Sequence, residues 1–401
     1  MSVEPPRLDP ASPVPPPEGD QADHADPARV RVFARTDVGR TREHNEDAYL
    51  VADLTDDLPL AFEGAGAAPY DFDAAAGALF LVADGLGGAA AGEVASHLAT
   101  EAAFQALRAA LPDAAADPTR FATALRDAVL AANAAIHRTA ADRGDLRGMA
   151  TTLTAAALRA DTLYLAQVGD SRAYLVRGGE ARQLTKDQSL VQRLVDAGEL
   201  TPEQAETSAR RNIILQALGA DRTVKVDVTH QPLRRGDVLL LCSDGLSGQL
   251  RATELADTAR AAGDLDTLCD ALVTRANDTG GPDNITVVAA RFDGDALPAA
   301  DAGDDRVGHQ QFAVLPTPAT TQAIVAEVLA GADMGVGVAA PLPDIAAAPL
   351  AAADDVPTPP APTAPDRELA ERRGRARLVY AALAVLAASV AAFYLWRLLI
   401  A

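Results

Sequence analysis

Residues 82–96 read VADGLGGAAAGEVAS. An apolar run, Ala78 to Val82, leads into them. A strand that ends in one carboxylate is followed by four glycines within eight residues and then by a helix-like run. Burying a carboxylate at a strand end is costly unless something pairs with it. A metal, a phosphate loop or a plain helix cap would each supply a partner. The GLGG run lacks the Lys-Ser/Thr of a nucleotide loop, which argues against ATP. The choice between metal and cap depends on the rest of the chain.

Working outward, Asp recurs in similar settings. Arg42-Glu43-His44-Asn45-Glu46-Asp47 follows an apolar run at 30–34, and Val168-Gly169-Asp170-Ser171-Arg172 joins two more. Ser243-Asp244-Gly245 follows LLLC, and Gly281-Pro282-Asp283-Asn284 precedes a last β-like run. One such Asp is a turn or a cap. Five of them beside apolar strands, gathered at one end of a layered sheet, repel one another unless cations hold them. Oxygen ligands without a Cys or His pairing favour magnesium or manganese. A paired-metal site of this kind activates water for in-line attack on phosphorus. Arg42, four residues before Glu46, offers a guanidinium fork for phosphate oxygens. Together these groups point to phosphate-ester hydrolysis.

The coarse element pattern is strands at 30–34 and 77–83, then long alanine-rich helices at 93–111 and 118–141. Short β-like runs follow at 151–158, 162–168 and 172–177, then at 224–228 and 238–242. Helices at 253–262 and 265–277 and a strand at 284–291 complete it. Clustered strands with separated helices predict an α+β layered fold and not a doubly wound sheet.

Here a resemblance enters. RTDVGRTREHNEDA, VADGLGGAAAGEVAS, GMATTLTAAAL, VGDSRAYLVR, LLLCSDGLSGQL and GGPDNITVV run in this order from about Val30 to Phe292. The set resembles the metal-dependent protein phosphatase family, protein phosphatase 2C, and most of all its bacterial serine/threonine phosphatases. The resemblance implies a central β-sandwich of two antiparallel sheets flanked by helices. It implies hydrolysis of phosphoserine and phosphothreonine on proteins by a water bridging two Mn²⁺ or Mg²⁺ ions, with a third ion in many bacterial relatives. Asp84 would bridge the two metals and the Gly85 carbonyl would bind one. Asp244 and Asp283 would complete the other, and Glu46 and Asp47 would hold metal-bound waters or ligate directly. Asp170 would help to hold the third ion, and Arg42 would grip the phosphate.

Departures are also visible. Bacterial relatives carry Met and His in a DGMGGH stretch, where this chain has Leu86 and Ala89. The missing imidazole predicts slower turnover, with a metal-bound water left to protonate the leaving alkoxide. The flap, about residues 185–220, reads TKDQSLVQ with Gln188 and SARRN with Ser208-Ala209, against THDHSLVQ and HPxRN. Because the flap touches substrate in relatives, specificity is expected to differ. Residues 51–76 read as a tolerated surface insertion. A pseudo-phosphatase that binds phosphoproteins without cleaving them is the alternative, but such proteins lose metal ligands and here every expected one is present. Cys269 and Arg275 match C-x₅-R of thiol phosphatases. Their helical surroundings leave no free N–H groups for an anion.

Composition bounds the rest. The net charge is −21, which disfavours nucleic acid as a partner. Two cysteines make no disulfide framework and fit a reducing compartment. Eight of 26 prolines lie in residues 1–28 and eleven in 298–365. We therefore expect a disordered acidic tail (1–28), a phosphatase domain (29–293) and an acidic Pro/Ala-rich linker (294–377). A short helix at 321–329 is expected within that linker. No secretory signal is read at the start. Leu378–Trp396 has no charge over 19 residues, long enough at roughly 1.5 Å per residue to span a bilayer core of about 30 Å. Arg372, Arg373, Arg375 and Arg377 precede it, so the expectation is a single-pass anchor in the cell (inner) membrane, with the catalytic domain in the cytoplasm. The expected partners are phosphorylated proteins and a membrane serine/threonine kinase.

Overall fold

Strand β1 (Arg29–Asp37) shows how the layers arise. Val30, Val32 and Ala34 point into one core and Phe33 into another, the two-residue alternation of a strand. Strand β5 (Ala78–Leu86) does the same. Phe80 and Val82 join Val30 and Val32, while Leu79, Leu81 and Ala83 face a third core. Both faces are covered, so the run shows no polar alternation. That absence of pattern is itself the sign of a buried strand.

The computed structural model describes residues 27–55, 59–62, 69–87, 89–299 and 306–316, all within one compact unit. One sheet runs β10 (Glu180–Gln183), β9 (Arg172–Arg177), β12 (Val238–Cys242), β13 (Ile285–Asp293), β1 and β4 (Tyr70–Asp73). The other runs β11 (Asp227–Pro232), β8 (Thr162–Val168), β7 (Leu153–Arg159), β5, β2 (Asp47–Asp53) and β3 (Ala61–Phe62), with β6 (Ala150–Thr151) on the end of β5. The pairings are antiparallel throughout. The sheets pack face to face around Val32, Phe80, Leu165, Leu239 and Phe292, with Phe80 edge-on to Phe292 at 6.1 Å between ring centroids.

Helices close both outer faces. Helices α1 (Ala89–Ala114) and α2 (Pro118–Asp142) cover the second sheet, and their alanines at 95, 99, 102, 128 and 132 are buried against it. Asp117 caps α2 by accepting the Arg120 N–H at 2.7 Å, with Pro118 opening the helix. Between the sheets' strands lie α3 (Leu190–Asp196), α4 (Pro202–Glu206) and α5 (Asp244–Ser247). On the first sheet, α6 (Ala252–Ala261) and α7 (Leu265–Asp278) bury Leu255, Leu268 and Leu272. The expected sandwich flanked by helices is therefore observed.

Two expectations change. Residues 51–76 are not simply an insertion. They begin with the end of the fully buried β2 and finish with β4, which pairs with β1 and carries the Arg29–Asp71 ion pair at 2.7 Å. Asp47 and Asp53 bracket β2 and hid it, because a five-residue apolar run between acids has no readable period. The chain also stays on the body past residue 293. Leu297 is buried, and Val307, Phe312 and Val314 pack against the cores. Acidic, glycine-containing surroundings masked these few apolar anchors. Residues 1–26 and 317–401 lie outside the described residues. So do most of the expected tail, the rest of the linker, its short helix and the span 378–396. Among the described residues no helix is long and apolar enough to cross a membrane.

Candidate active site

Asp47 and Asp84 are directly opposite each other in the β2–β5 pairing. Antiparallel register thus sets two carboxylates side by side on one sheet. The Asp84 backbone is held on both sides. Its N–H donates to Thr152 Oγ1 at 3.0 Å, and its carbonyl accepts from the Thr152 N–H at 2.9 Å and Thr151 Oγ1 at 2.8 Å. Gly85 has a steric reason to be glycine: a Cβ there would lie 2.3 Å from the Gly92 carbonyl oxygen and 2.5 Å from that of Glu46. Gly92, in the first turns of α1, is equally confined, with Glu46 Oε2 2.4 Å from where its Cβ would stand. The glycines thus let β5, α1 and the Glu46 carboxylate converge.

The other sheet supplies the remaining acids. Asp244 opens α5 one residue after β12, and its carboxylate interacts electrostatically with that of Asp84. Asp283 precedes β13 and pairs with Arg42 at 2.8 Å. Asp170 is buried in the β8–β9 turn. Two residues passed over in the sequence reading hold this arrangement together. Ser243 Oγ accepts the Thr286 N–H at 3.0 Å and donates to Asp47 Oδ2 at 2.7 Å, linking the two sheets. Asn284 accepts the Glu46 N–H at 2.9 Å and donates through Nδ2 to the carbonyls of Val38 and His44, both at 2.9 Å. It fastens the loop that carries Arg42 and Glu46. Each sits next to an aspartate in a quoted motif, and that adjacency was the available signal.

The electrostatics of the cluster are those of crowded, dry carboxylates. Burial first, opposed by the Ser243 and Thr286 hydrogen bonds and reinforced by Asp244 and Asp283, lifts Asp47 from its ordinary 3.8 to about 7. Burial with the repulsion of Asp244 lifts Asp170 to about 8. Asp84 is pushed well above the carboxylate range by burial and by Asp47 and Asp244, and Asp244 is raised by burial and Asp283. Glu46 is raised by burial against the pull of Arg42. Asp47 Oδ1 and Asp170 Oδ1 are buried without a hydrogen-bond partner. Orphaned, all-oxygen, mutually repelling donors fit hard divalent cations. Among the described residues no three of these side chains stand close enough together to hold a metal ion as they are.

A pH dependence follows. Unfolded aspartates lose their protons near 3.8, whereas folded Asp47 and Asp170 keep theirs to about 7 and about 8. The folded state then binds more protons across that window, so metal-free stability falls as pH rises through it. The melting temperature in EDTA is expected to be lower at pH 8 than at pH 5.5. Mn²⁺ should raise it more at pH 8, because the ion binds the deprotonated carboxylates. A flat or rising trend in EDTA would contradict the carboxylate cluster.

Comparison with known proteins places this geometry. Residues 43–282 match the family model described as Protein phosphatase 2C. The chain belongs to the protein phosphatase 2C family. It is thereby a hydrolase of the metal-dependent protein-phosphatase class. Among curated proteins, the serine/threonine phosphatase stp of Listeria welshimeri is 39% identical over 260 residues, covering 63% of this chain and 92% of its own. The crystal structure of the Mycobacterium tuberculosis serine/threonine phosphatase PstP/Ppp is 36% identical, with a TM-score of 0.54, over 66% of this chain and 99% of that one. A further structure, the PstP catalytic domain in complex with two manganese ions, is 36% identical with a TM-score of 0.52 over the same shares.

Within this protein phosphatase 2C domain the sequence-derived positions Glu46, Asp47, Asp84, Gly85, Asp170, Asp244 and Asp283 converge at one end of the sandwich. Arg42 also reaches that end. It is half-exposed, with one guanidinium nitrogen on Asp283. Leu86 ends β5 and Ala89 begins α1. His44 contributes its backbone carbonyl, to Asn284. Cys269 is buried inside α7, and burial pushes its thiol well up; Cys242 is raised to about 12. Neither is a thiolate nucleophile.

Proposed function

We propose that this chain hydrolyses phosphoserine and phosphothreonine on proteins with two Mn²⁺ or Mg²⁺ ions. Five buried or half-buried aspartates from both sheets, two with orphaned oxygens, carry this reading. Asp84, which faces Asp47, and the Gly85 carbonyl would help to hold the ions. Asp244 and Asp283 would complete one ion's ligands, Glu46 and Asp47 would hold metal-bound waters or ligate directly, and Asp170 would help to hold a third ion. When bound, such ions supply an activated water for attack on phosphorus and offset the phosphate charge. Arg42 has guanidinium donors left over from Asp283 and would orient the phosphate oxygens. Ser243 and Asn284 would hold the ligand frame rigid.

Exposed side chains on the neighbouring loops support a protein substrate. Three of the exposed large apolar side chains, Val38, Ile213 and Leu215, lie on the segments bonded to Asn284 and Gln188. Exposed Arg40, Arg210 and Arg211 accompany them. Such mixed apolar and cationic rims suit a polypeptide that carries a phosphate. A membrane anchor at 378–396, cytoplasmic placement of the domain and a membrane kinase as partner remain part of this proposal. The uncharged span and its preceding arginines support them.

The test is hydrolysis of p-nitrophenyl phosphate and a phosphothreonine peptide by the full-length chain, with EDTA, Mg²⁺ or Mn²⁺. Turnover of both substrates with metal and none with EDTA is expected. A folded chain silent with every metal would transfer the reading to phosphoprotein binding without cleavage.

A further inference from the structure

Residues 306–316 reach the site indirectly, along a path of hydrogen bonds. They lie along the outer edge of β11. The His230 N–H donates to the Gln310 carbonyl at 3.0 Å, and the Phe312 N–H donates to the Val228 carbonyl at 2.9 Å. His309 Nε2 and Asp227 Oδ2 are 2.7 Å apart. The Phe312 ring stands edge-on to Tyr164 and to His230, each at 5.1 Å, and Tyr164 is edge-on to Phe121 of α2 at 5.6 Å. The far end is fastened to α2: the Leu315 N–H donates to Thr123 Oγ1 at 3.1 Å, and its carbonyl accepts from the buried Arg126. An edge strand is thereby covered by the chain itself.

The pinned start of β11 is next to Lys225, where the flap is held. The Lys225 carbonyl accepts from Gln188 Nε2 at 3.1 Å, and its N–H donates to Gln216 Oε1 at 2.8 Å. Gln188 makes three further bonds. Its Oε1 accepts the Gly169 N–H at 3.0 Å, its N–H donates to the Gly169 carbonyl at 2.9 Å, and its carbonyl accepts the Leu215 N–H at 2.8 Å. Gly169 precedes Asp170, has φ +105°, and would place a Cβ 2.6 Å from Thr152 Cγ2. Thr152 in turn holds Asp84. The Asp170 turn therefore has little room to move except with Gln188.

We propose that residues 306–316 are a strap that positions the flap and the Asp170 turn, with Phe312 and Gln188 as its positioning residues. The path runs from Phe312 through residues 225–228 to Gln188 and Gly169. The strap holds β11 from outside, β11 fixes the Lys225 carbonyl, and that carbonyl orients the Gln188 amide that closes on Gly169. Its bearing on catalysis rests on the phosphatase reading, but its structural content does not.

A double-mutant cycle with Phe312→Ala and Gln188→Ala in the full-length chain tests it. One readout is hydrogen exchange of residues 186–216 in the metal-free protein; the other is KM and kcat for a phosphothreonine peptide with Mn²⁺. Each single variant is expected to speed flap exchange and raise KM about three- to ten-fold with little change in kcat. The double variant should be no worse than the worse single, and Phe312→Leu should restore most of the loss. Flap exchange unchanged by Phe312→Ala, or effects that multiply in the double variant, would overturn the strap. If Phe312→Ala unfolds the chain, His309→Ala takes its place, with a smaller shift in the same direction expected and no shift overturning it. A chain silent toward p-nitrophenyl phosphate defeats the phosphatase reading, while the exchange data still decide the strap.

Discussion

Asp84→Asn is expected to lower kcat/KM by about a thousand-fold or more, roughly 4 kcal/mol of lost transition-state stabilisation, while raising the melting temperature of the metal-free chain. The two effects share one cause. Asp84 is crowded by Asp47, Asp244, Asp170 and Asp283, and burial with their repulsion holds its carboxyl well above the ordinary range. Its charge therefore opposes folding above the unfolded pKa, and the uncharged amide relieves that cost. The backbone bonds to Thr151 and Thr152 are kept, so the fold is not disturbed. If Asp84 holds metal as proposed, Mn²⁺ should also stabilise the variant much less than the parent. Peptide kinetics and melting curves in EDTA and Mn²⁺ read all three effects. Wild-type turnover would remove Asp84 from the metal site, and a lower melting temperature in EDTA would contradict the repulsion.

Ending the chain at Asp293 is expected to cost about 4 kcal/mol of stability relative to ending it at Pro316. The loss combines the uncovering of Phe312 with the removal of several hydrogen bonds worth about 1 kcal/mol each. Truncation also exposes the β11 edge, the Tyr164 and His230 rings, and the guanidinium of Arg126, one of whose partners is the Leu315 carbonyl. A buried guanidinium that loses an acceptor is costly. Urea unfolding of the two chain lengths measures the difference as a shift in midpoint. Equal midpoints would mean that residues 306–316 lie on the body without holding it. The composition-based boundary at 293 predicts that equality, so the experiment separates the two boundaries.

The acids of the site were legible because each stands at a strand end beside glycine or another acid, and burying a carboxylate there has few explanations. Strand β2 was not legible, because both its faces are buried and aspartates bound it. The strap was hidden because an acidic stretch precedes it and its few apolar anchors, Val307, Phe312 and Val314, show no readable period. Ser243 and Asn284 lay in plain view, yet their task exists only across distance: Ser243 reaches Asp47 over 196 residues and Asn284 reaches Glu46 over 238.

By itself, the amino-acid sequence determined the layered α+β class, the acidic set, the oxygen chemistry of the site and its family. The class and the acidic set rest on local properties, residue type, periodicity and the cost of burying charge, and the family on the resemblance of six ordered motifs. Only the tertiary structure decided that Asp47 faces Asp84, that Arg42 engages Asp283, and that residues 306–316 lie along β11. Those are long-range pairings, set by strand register and by which surfaces remain to be covered once the two sheets have packed.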